Sequence, residues 1–240
     1  SVYEQCWQCK KEYHNPLHRR YYSQTNSCDD CGITMHLYNN EGENICNDAD
    51  CILIMVKDAL LNGHIVAVKG IGGYMLMCDA TNFLAIKTLR ERKQRPEKPF
   101  AVLYPSLKSA EADVHLSTKE TEALQSMAAP IVLCTMKDHL PSGLNKEMIA
   151  PSLTKLGVML PYSPLLALIA DAVHKPMVAT SGNISGSPII YKDDQALEYL
   201  GEIADFVLTY DREIVVPQDD SVIQFSPNYQ QPVLLRRSGA

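Results

Sequence analysis

Apolar residues along this chain fall into short blocks whose spacing alternates between that of helices and that of strands. The first block predicts a helix from Asp48 or Asp50 through Leu61, because apolar residues recur every three or four positions. Its predicted buried face consists of Ile52, Met55, Val56, Ala59 and Leu60. Gly63 is placed to end this helix, and the continuous apolar block 65–68 after it is typical of a buried strand.

The same patterning predicts the elements of the remaining chain. Thr81 or Asn82 can cap a second helix, and Ser117 with Glu120 forms a capping box that opens a third. Further helices are predicted at 164–173 and 193–200, and further strands at 100–104, 131–134, 177–180, 206–209 and 222–225. Several strands follow one another too closely for parallel crossovers. We therefore predict the α/β class, with a mixed, twisted sheet.

The first 45 residues lack this patterning and contain four cysteines spaced C-x2-C-x18-C-x2-C: Cys6, Cys9, Cys28 and Cys31. Each pair places two thiolates on one tight turn, and two such turns supply the four sulfur ligands of a tetrahedral zinc site. A cluster of free thiols, or two disulfides, is the alternative. We predict a small zinc-finger module at 1–45 and an α/β domain at 46–240, and we leave Cys46 and Cys51 out of the metal set.

Composition and charge restrict the compartment and the partners. The 240 residues are 46% hydrophobic, which is enough to bury a core. The 22 Lys and Arg residues against 28 Asp and Glu give a net charge of −6, which disfavours nucleic acid as a partner. No apolar run approaches the roughly 20 residues of a membrane helix, and no leader is apparent. Together with the zinc-type cysteine spacing, this indicates a reducing cytoplasm.

A basic segment follows the second predicted helix. Five cations occur within nine residues of this acidic chain: Arg90, Arg92, Lys93, Arg95 and Lys98. This local charge suits the phosphates of a nucleotide. The alternative is a solvated helix end, where cations favour the carboxyl terminus. Two prolines in the segment, at 96 and 99, stiffen the loop and lower the cost of ordering it around a ligand, which favours the phosphate interpretation.

Two further polar segments carry candidate chemistry. Segment 180–188, TSGNISGSP, combines the side-chain donors of Ser181 and Asn183 with a glycine-rich turn whose backbone N–H groups can cradle an anion. An ordinary surface turn is the alternative. Asp219 and Asp220 precede a strand, and this pair can hold Mg²⁺ or orient arginine side chains. The glycine segment 69–74 permits close approach of a ligand, but its spacing is not that of a dinucleotide fingerprint.

The order of these segments resembles that of a known family. KGIGGYMLMCDA, LRERKQRPEKPFAVL, GVMLPYSPL, ATSGNISGSPI, PQDDSV and LLRRSG are similar to the YrdC-like domain of the HypF carbamoyltransferases, which mature nickel–iron hydrogenases. The cysteine module resembles the second of the two zinc fingers that precede that domain. Relative to a full HypF protein, the chain lacks the acylphosphatase-like domain, the first finger and the Kae1-like domain.

The resemblance implies a reaction. Carbamate, formed from carbamoyl phosphate, attacks the α-phosphate of ATP and gives carbamoyl-adenylate and pyrophosphate, with Mg²⁺ accompanying ATP. The Kae1-like domain then passes the carbamoyl group to the C-terminal cysteine of a HypE acceptor protein. The implied site residues are Lys93 and Arg95 at the triphosphate, Ser181 and Asn183 at the nucleotide and acyl pocket, Ser221 at the same cavity, and Arg237 closing over the phosphates.

The sequence departs from the family at four positions where the family commonly has histidine: Met75, Leu166, Ala167 and Tyr210. Two other functions compete with the HypF reaction. One is threonylcarbamoyl-adenylate synthesis for tRNA modification, the task of stand-alone YrdC proteins, which do not usually carry a finger. The other is double-stranded RNA binding, which the net charge of −6 disfavours.

Overall fold

The computed structural model describes residues 4–23, 26–184 and 186–238. Its strands are β1 Met35–Asn39, β2 Asn44–Cys46, β3 Val66–Lys69, β4 Tyr74–Asp79, β5 Ala101–Leu103, β6 Val114–His115, β7 Ile131–Met136, β8 Lys155–Met159, β9 Met177–Ser181, β10 Phe206–Tyr210, β11 Val222–Phe225 and β12 Pro232–Arg236. Its helices are α1 Trp7–His14, α2 Ala49–Leu61, α3 Phe83–Arg92, α4 Leu107–Asp113, α5 Thr118–Leu124, α6 Lys146–Ile149, α7 Pro164–Val173 and α8 Asp193–Gln195, which continues as a π-helix over Ala196–Leu200.

All of these strands belong to one sheet. Its order from edge to edge is β12-β11-β7-β8-β5-β9-β4-β3-β10-β1-β2, with β6 paired to β7 beside this path. The pairs β3–β10, β5–β8 and β7–β11 are parallel, whereas the other neighbours are antiparallel. The prediction of a mixed α/β sheet preceded by a cysteine module is confirmed.

Helices cover the two faces of the sheet unequally. Along β4, alternate side chains enter opposite cores: Leu76 and Cys78 pack with α3, whereas Met75 and Met77 pack with α2 and α7. Helix α2 lies on β1, β3 and β4 and packs against α7. On the same face, Ala101, Ile131, Leu133 and Ala179 line an open cavity instead. This uncovered part of the face is where the candidate site lies.

The local signals in the sequence predicted most helix starts correctly. Asp48 caps α2 by accepting the Cys51 N–H, and Asn82 caps α3 in the same way. The capping box of Ser117 with Glu120 is present at the start of α5. Gly63, with a φ of 85°, follows the end of α2 as predicted. Cys78 and Cys134, predicted as core residues, are buried.

Other elements were missed or displaced. The finger region contains helix α1 and strands β1 and β2, although its sequence shows no periodicity. The predicted strand 65–68 is observed one residue later, at Val66–Lys69, and the glycine segment after it is the turn between β3 and β4. Strand β1 pairs with β10 in full antiparallel register, from Met35–Tyr210 to Asn39–Phe206. The domain boundary after residue 45 stays a prediction.

The helices that the structure describes include none that is both long enough and apolar enough to cross a bilayer.

Candidate functional site

Three polar segments predicted from the sequence lie together in the structure. The basic loop 93–99 follows α3, the turn 181–188 follows β9, and the acidic segment 219–221 precedes β11. Lys93 contacts the turn directly, and Ser181, Asp219 and Asp220 line two adjoining cavities. The fold therefore gathers residues that are far apart in the sequence into one site.

Lys93 fixes the turn to the basic loop. Its buried ammonium donates to Ser181 O at 2.6 Å, to Asn183 O at 3.0 Å and to Asn183 Oδ1 at 2.8 Å. Burial, and then the charges of Arg95 and Lys98, lower the pKa of Lys93 to about 8. Because an ammonium has three N–H donors, these three contacts use its full donor capacity.

The turn itself is held by short internal contacts. Ser181 Oγ donates to Asn183 Oδ1 at 2.9 Å, and Asn183 Nδ2 donates to Ser187 O at 2.7 Å. Gly182 allows the turn to approach β4, since a Cβ at this position would lie 2.8 Å from Tyr74 O. The contacts give Asn183 a single orientation beside Lys93 and Ser181, where it lines a cavity next to the basic loop. Ser185 of the predicted segment lies outside the described residues.

Arg95 presents its guanidinium at the rim of the larger cavity. The group lies over the Phe100 ring, with Cζ 4.8 Å from the ring centroid, and donates to Thr180 Oγ1 at 2.9 Å and to Pro99 O. Burial, followed by the charges of Arg90 and Arg236, lowers the pKa of Arg95 to about 10. Arg95 therefore remains a cation at neutral pH, and the ring and two oxygen atoms hold it in place.

Two cations of the basic run have structural roles instead. The buried Arg90 donates to the carbonyl oxygens of Arg95, Pro96 and Lys98 at 2.7, 3.1 and 3.2 Å, and so shapes the loop from below. Arg92 pairs with Asp205 at 2.8 Å, away from the cavity. The positive site thus contains fewer cations than the sequence suggested, because successive helical residues point about 100° apart.

The two carboxylates of the acidic pair, Asp219 and Asp220, have different partners. Asp219 Oδ2 forms an ion pair with Arg236 Nη1 at 2.7 Å, and Arg236 Nε donates to Asp220 O at 2.8 Å. Of the two roles predicted for the pair, this geometry fits the orientation of an arginine. Asp220 is half-buried, and its side chain hydrogen-bonds with Tyr162. Burial, and then the charge of Asp219, raise the pKa of Asp220 to about 6.

The two remaining predicted residues lie next to this pair. Ser221 Oγ accepts the backbone N–H of Ser238 at 2.9 Å, which ties the end of the chain after β12 to the acidic segment. Ser221 lines the smaller cavity. Arg237 is exposed and directly follows β12, beside Arg236 of the larger cavity. Both positions are thus close to the converging segments.

The two cavities differ in size and charge. The larger, of about 520 Å³, has an apolar floor on the uncovered face of the sheet. Its rim holds four cations, Arg95, Lys98, Lys155 and Arg236, next to Asp219 and Asp220, which line both cavities. The smaller, of about 220 Å³, lies between the glycine turn and the acidic segment, and the described residues that line it include no lysine or arginine. The larger cavity therefore suits a base with phosphates, and the smaller one suits a small polar group.

The cysteine cluster has the geometry of a zinc site. The four Sγ atoms of Cys6, Cys9, Cys28 and Cys31 lie within 4.8 Å of one another, with Cys6–Cys28 at 3.6 Å and Cys28–Cys31 at 3.9 Å. Sulfur atoms in a tetrahedral zinc tetrathiolate lie about 3.8 Å apart, given Zn–S bonds of about 2.3 Å. These separations are too long for disulfides, which have S–S lengths of about 2.05 Å. The cluster therefore fits zinc.

Polar contacts support this cluster. Asn26 is buried, and its Nδ2 donates to Cys9 O at 2.7 Å. Arg20 pairs with Glu12 at 3.3 Å and lines a polar cavity with Cys9 and Cys28. Backbone N–H groups, of Cys6 first and then of Cys28, lower the pKa of Cys31 to about 7. A cation and backbone donors beside the sulfur atoms offset the charge of about −2 that a zinc tetrathiolate carries.

The positions that depart from the resembled family have varied surroundings. Met75 lines the smaller cavity, and Tyr210 donates its hydroxyl to Gly70 O at 2.7 Å. Leu166 and Ala167 both belong to α7, where Leu166 is buried in the core that α7 shares with α2 and Ala167 is exposed. Two of the four thus lie at or near the glycine turn.

Several residues of the site were missed from the sequence. Phe100 beneath Arg95, Arg236 beside Asp219, and Tyr162 beside Asp220 lie inside segments that carry the family resemblance, but the sequence did not single them out as site residues. The segments were therefore visible in the sequence, whereas the partner of each side chain was not.

Comparisons with known proteins find relatives of both the finger and the sheet. The Sua5/YciO/YrdC family model, described as telomere recombination, matches residues 58–238, and the HypF finger model matches residues 6–38. Carbamoyltransferase HypF of Rhodobacter capsulatus is 41% identical over 238 residues, 99% of this chain and 30% of that protein. A crystal structure of full-length HypF in the phosphate- and nucleotide-bound form is similar with a TM-score of 0.86 and 39% identity, covering 99% of this chain and 30% of that one.

A more distant relative represents the competing enzyme. Threonylcarbamoyl-AMP synthase of Vibrio cholerae is 27% identical over 149 residues, 60% of this chain and 77% of that protein. The alignment with HypF thus reaches across the finger and the sheet, whereas the alignment with the synthase leaves two fifths of this chain unmatched. The chain spans about 30% of the length of its HypF relatives.

Proposed function

We propose that this chain, which belongs to the Sua5/YciO/YrdC family and has the finger and YrdC-like domain of the HypF carbamoyltransferases, binds ATP and forms carbamoyl-adenylate. The observation that carries the proposal is the pair of adjoining cavities. One has cations and an apolar floor, the other is small and polar, and Ser181 lies between them. An adenylate-forming enzyme needs such a pair, because nucleotide and acyl group must meet at the α-phosphorus.

The larger cavity would hold ATP. Its apolar floor suits the base, and its cations suit the triphosphate, with Mg²⁺ bound to the phosphate oxygens. Arg95 is already positioned at the rim. Lys93 lines a neighbouring cavity that shares Arg95, Lys98 and Ser181 with the larger one, and it would reach a phosphate that extends there by giving up its contact with Asn183 Oδ1. Arg237, exposed at the end of β12, would close over the phosphates.

The chemical step is a displacement at phosphorus. A carbamate oxygen forms a bond to the α-phosphorus, the bond from that phosphorus to the bridging oxygen breaks, and pyrophosphate leaves with the electron pair. The protein forms no covalent bond, so its contribution is positioning and charge stabilisation. Lys93 and Arg95 would stabilise the leaving pyrophosphate, while Ser181, Asn183 and Ser221 would hold the adenylate and the acyl group.

Other steps of the pathway would belong to parts of the HypF protein outside this chain. We propose that an acylphosphatase-like domain releases carbamate from carbamoyl phosphate. A Kae1-like domain would then transfer the carbamoyl group to the C-terminal cysteine of a HypE-like acceptor. The finger would bind zinc through its four cysteines and hold the start of β1 in place.

Threonylcarbamoyl-adenylate synthesis is the second candidate, favoured by the likeness to the Vibrio cholerae synthase. Exchange of labelled pyrophosphate into ATP separates the two candidates. The purified zinc-loaded chain is supplied with carbamate, from ammonium bicarbonate, or with threonine and bicarbonate. We expect exchange with carbamate and none with bicarbonate alone. Exchange with threonine only would establish the second candidate, and no exchange with either would refute adenylate formation by this chain.

Double-stranded RNA binding is tested separately, since it needs no ATP. Titration of a short duplex at two salt concentrations is expected to show no specific binding, because the chain carries a net charge of −6. Tight binding that weakens steeply with salt would favour the RNA-binding alternative.

A further inference from the structure

The smaller cavity is electrostatically unusual for an enzyme whose substrate is an anion. Asp219 and Asp220 line it, and none of the described residues that line it is a lysine or an arginine. A carbamate anion would therefore be repelled if its oxygen atoms entered this cavity. The part of the substrate that enters must instead donate hydrogen bonds.

Of the two carboxylates, Asp220 is the one available to a substrate. Asp219 is occupied, because its Oδ2 pairs with Arg236 at 2.7 Å and its Oδ1 accepts the Asp220 backbone N–H at 3.0 Å. The side-chain partner that the structure describes for Asp220 is Tyr162. A carboxylate has about four acceptor positions, so Asp220 retains capacity for further donors.

The walls of this cavity are tightly packed on the side of the glycine turn. Gln218 N donates to Gly72 O at 2.8 Å, and a Cβ at Gly72 would lie 2.3 Å from Gln218 O. On the next residue, a Cβ at Gly73 would lie 2.5 Å from the Ile189 side chain. The position of Asp220 relative to the turn is therefore fixed by backbone contacts.

Carbamate has two chemically different ends. Its oxygen atoms carry the charge and one of them attacks phosphorus, so they face the cations of the larger cavity. Its amino group then points away from the phosphates, toward the smaller cavity, where its N–H bonds meet carboxylate oxygen. Substituted carbamates derived from amino acids differ at this end, because their nitrogen carries a side chain and a second carboxylate.

We infer that Asp220 determines the acyl specificity of this chain: its carboxylate accepts an N–H of an unsubstituted carbamoyl group and repels carbamates whose nitrogen carries a further carboxylate. This inference rests on the proposed function. Asp220 forms no bond and transfers no proton in the step. It discriminates through a hydrogen bond to one substrate and like-charge repulsion of the other.

The test measures pyrophosphate exchange with two acyl substrates, carbamate and the N-carboxylate that threonine forms with bicarbonate. Asp220→Ala removes the acceptor and the charge, and Asp220→Asn removes the charge alone. Asp171→Asn, at an exposed position on α7, is the matched control for the loss of one negative charge. Calorimetric binding of ATP reports whether each variant retains the larger cavity.

We expect Asp220→Ala to lower kcat/KM for carbamate at least tenfold without weakening ATP binding, because the lost carboxylate also borders the larger cavity and makes no attractive contact with phosphate. In Asp220→Asn, the ratio of threonine-dependent to carbamate-dependent exchange should rise at least tenfold. Asp171→Asn should match the parent chain in both. Equal losses for the two acyl substrates, or no loss in either Asp220 variant, would overturn the inference but leave the proposed function standing. Absence of carbamate-dependent exchange in the parent chain would overturn both.

Discussion

Arg95→Ala would remove a fixed guanidinium from the rim of the larger cavity and leave the apolar floor in place. A charge-assisted hydrogen bond to phosphate contributes about 1.5–3 kcal/mol, so we expect ATP affinity to fall about 10- to 150-fold. Adenosine, which has no phosphate, should lose about twofold or less, because it contacts the floor alone. The contrast between the two ligands measures the phosphate contact.

The variant also loses contacts that exist without ligand. Arg95 stacks on Phe100 and donates to Thr180 Oγ1 at 2.9 Å. A cation–π contact of about 0.5–1 kcal/mol and two hydrogen bonds, to Thr180 Oγ1 and Pro99 O, of about 1 kcal/mol each predict a loss of stability of about 2–3 kcal/mol. This loss is smaller than the stability of an ordinary domain, about 5–15 kcal/mol, so the variant should remain folded.

The assay is calorimetry with ATP, AMP and adenosine at about 0.15 M salt. At this ionic strength, exposed charges more than about 8 Å apart are largely screened, so a loss of affinity reports a direct contact. Arg92→Ala is the matched control, since it removes the same charge from the same run but pairs with Asp205 away from the cavity. We expect it to bind ATP within about twofold of the parent chain. Equal losses for ATP and adenosine in Arg95→Ala, or an equal loss of ATP affinity in Arg92→Ala, would show that Arg95 does not bind phosphate.

Three further predictions concern the turn, the lysine and the finger. Asn183→Ala should lower carbamate-dependent exchange about tenfold or more, roughly 1.4 kcal/mol, and an unchanged rate in folded protein would contradict its role. Because the pKa of Lys93 is lowered to about 8, its ammonium loses charge above that pH, so ATP affinity measured by calorimetry should fall between pH 7 and 9 in the parent chain. The same fall in Lys93→Met would assign it to another group. Metal analysis should find about one zinc per chain, and chelation should increase hydrogen exchange in α1 while the central strands stay protected. Intact thiols with less than about half an equivalent of zinc would count against the site.

The elements that could be predicted from the sequence are those with local signals. Caps such as Asp48 and Asn82 act within one helical turn, so three or four residues suffice to identify them. Strand β4 was missed although it is buried throughout like β3, because its first residue falls in the glycine segment 69–74, which was interpreted as a loop that a ligand approaches. Helix α1 was missed because the cysteine turns organise it rather than an apolar face.

The site was predictable only in part for a related reason. Lys93, Ser181 and Asn183 lie in recognisable polar segments, and the resemblance to a family gave their order. The direction of Arg90 is set partly by its contacts with the distant Met148 O and Ile149 O, and Arg236 pairs with Asp219 on a different segment. The direction of a side chain on the last turn of a helix, and its partner across the sheet, are not determined by neighbouring residues. The three-dimensional structure was therefore needed to distinguish the cations with structural contacts, Arg90 and Arg92, from Arg95, which lines the cavity.

The pairing of β1 with β10 has a practical consequence for dividing this protein. A shortened chain that begins after residue 46 would lack β1 and β2, and β10 would become an outer strand with a free row of backbone donors and acceptors. Its register with β1 covers five residues, and Val207 and Leu208 in that stretch are buried in the intact chain. Such an uncovered apolar strand is a template for pairing with a second molecule. The truncated protein should therefore self-associate, and light scattering would detect it even where ATP binding survives.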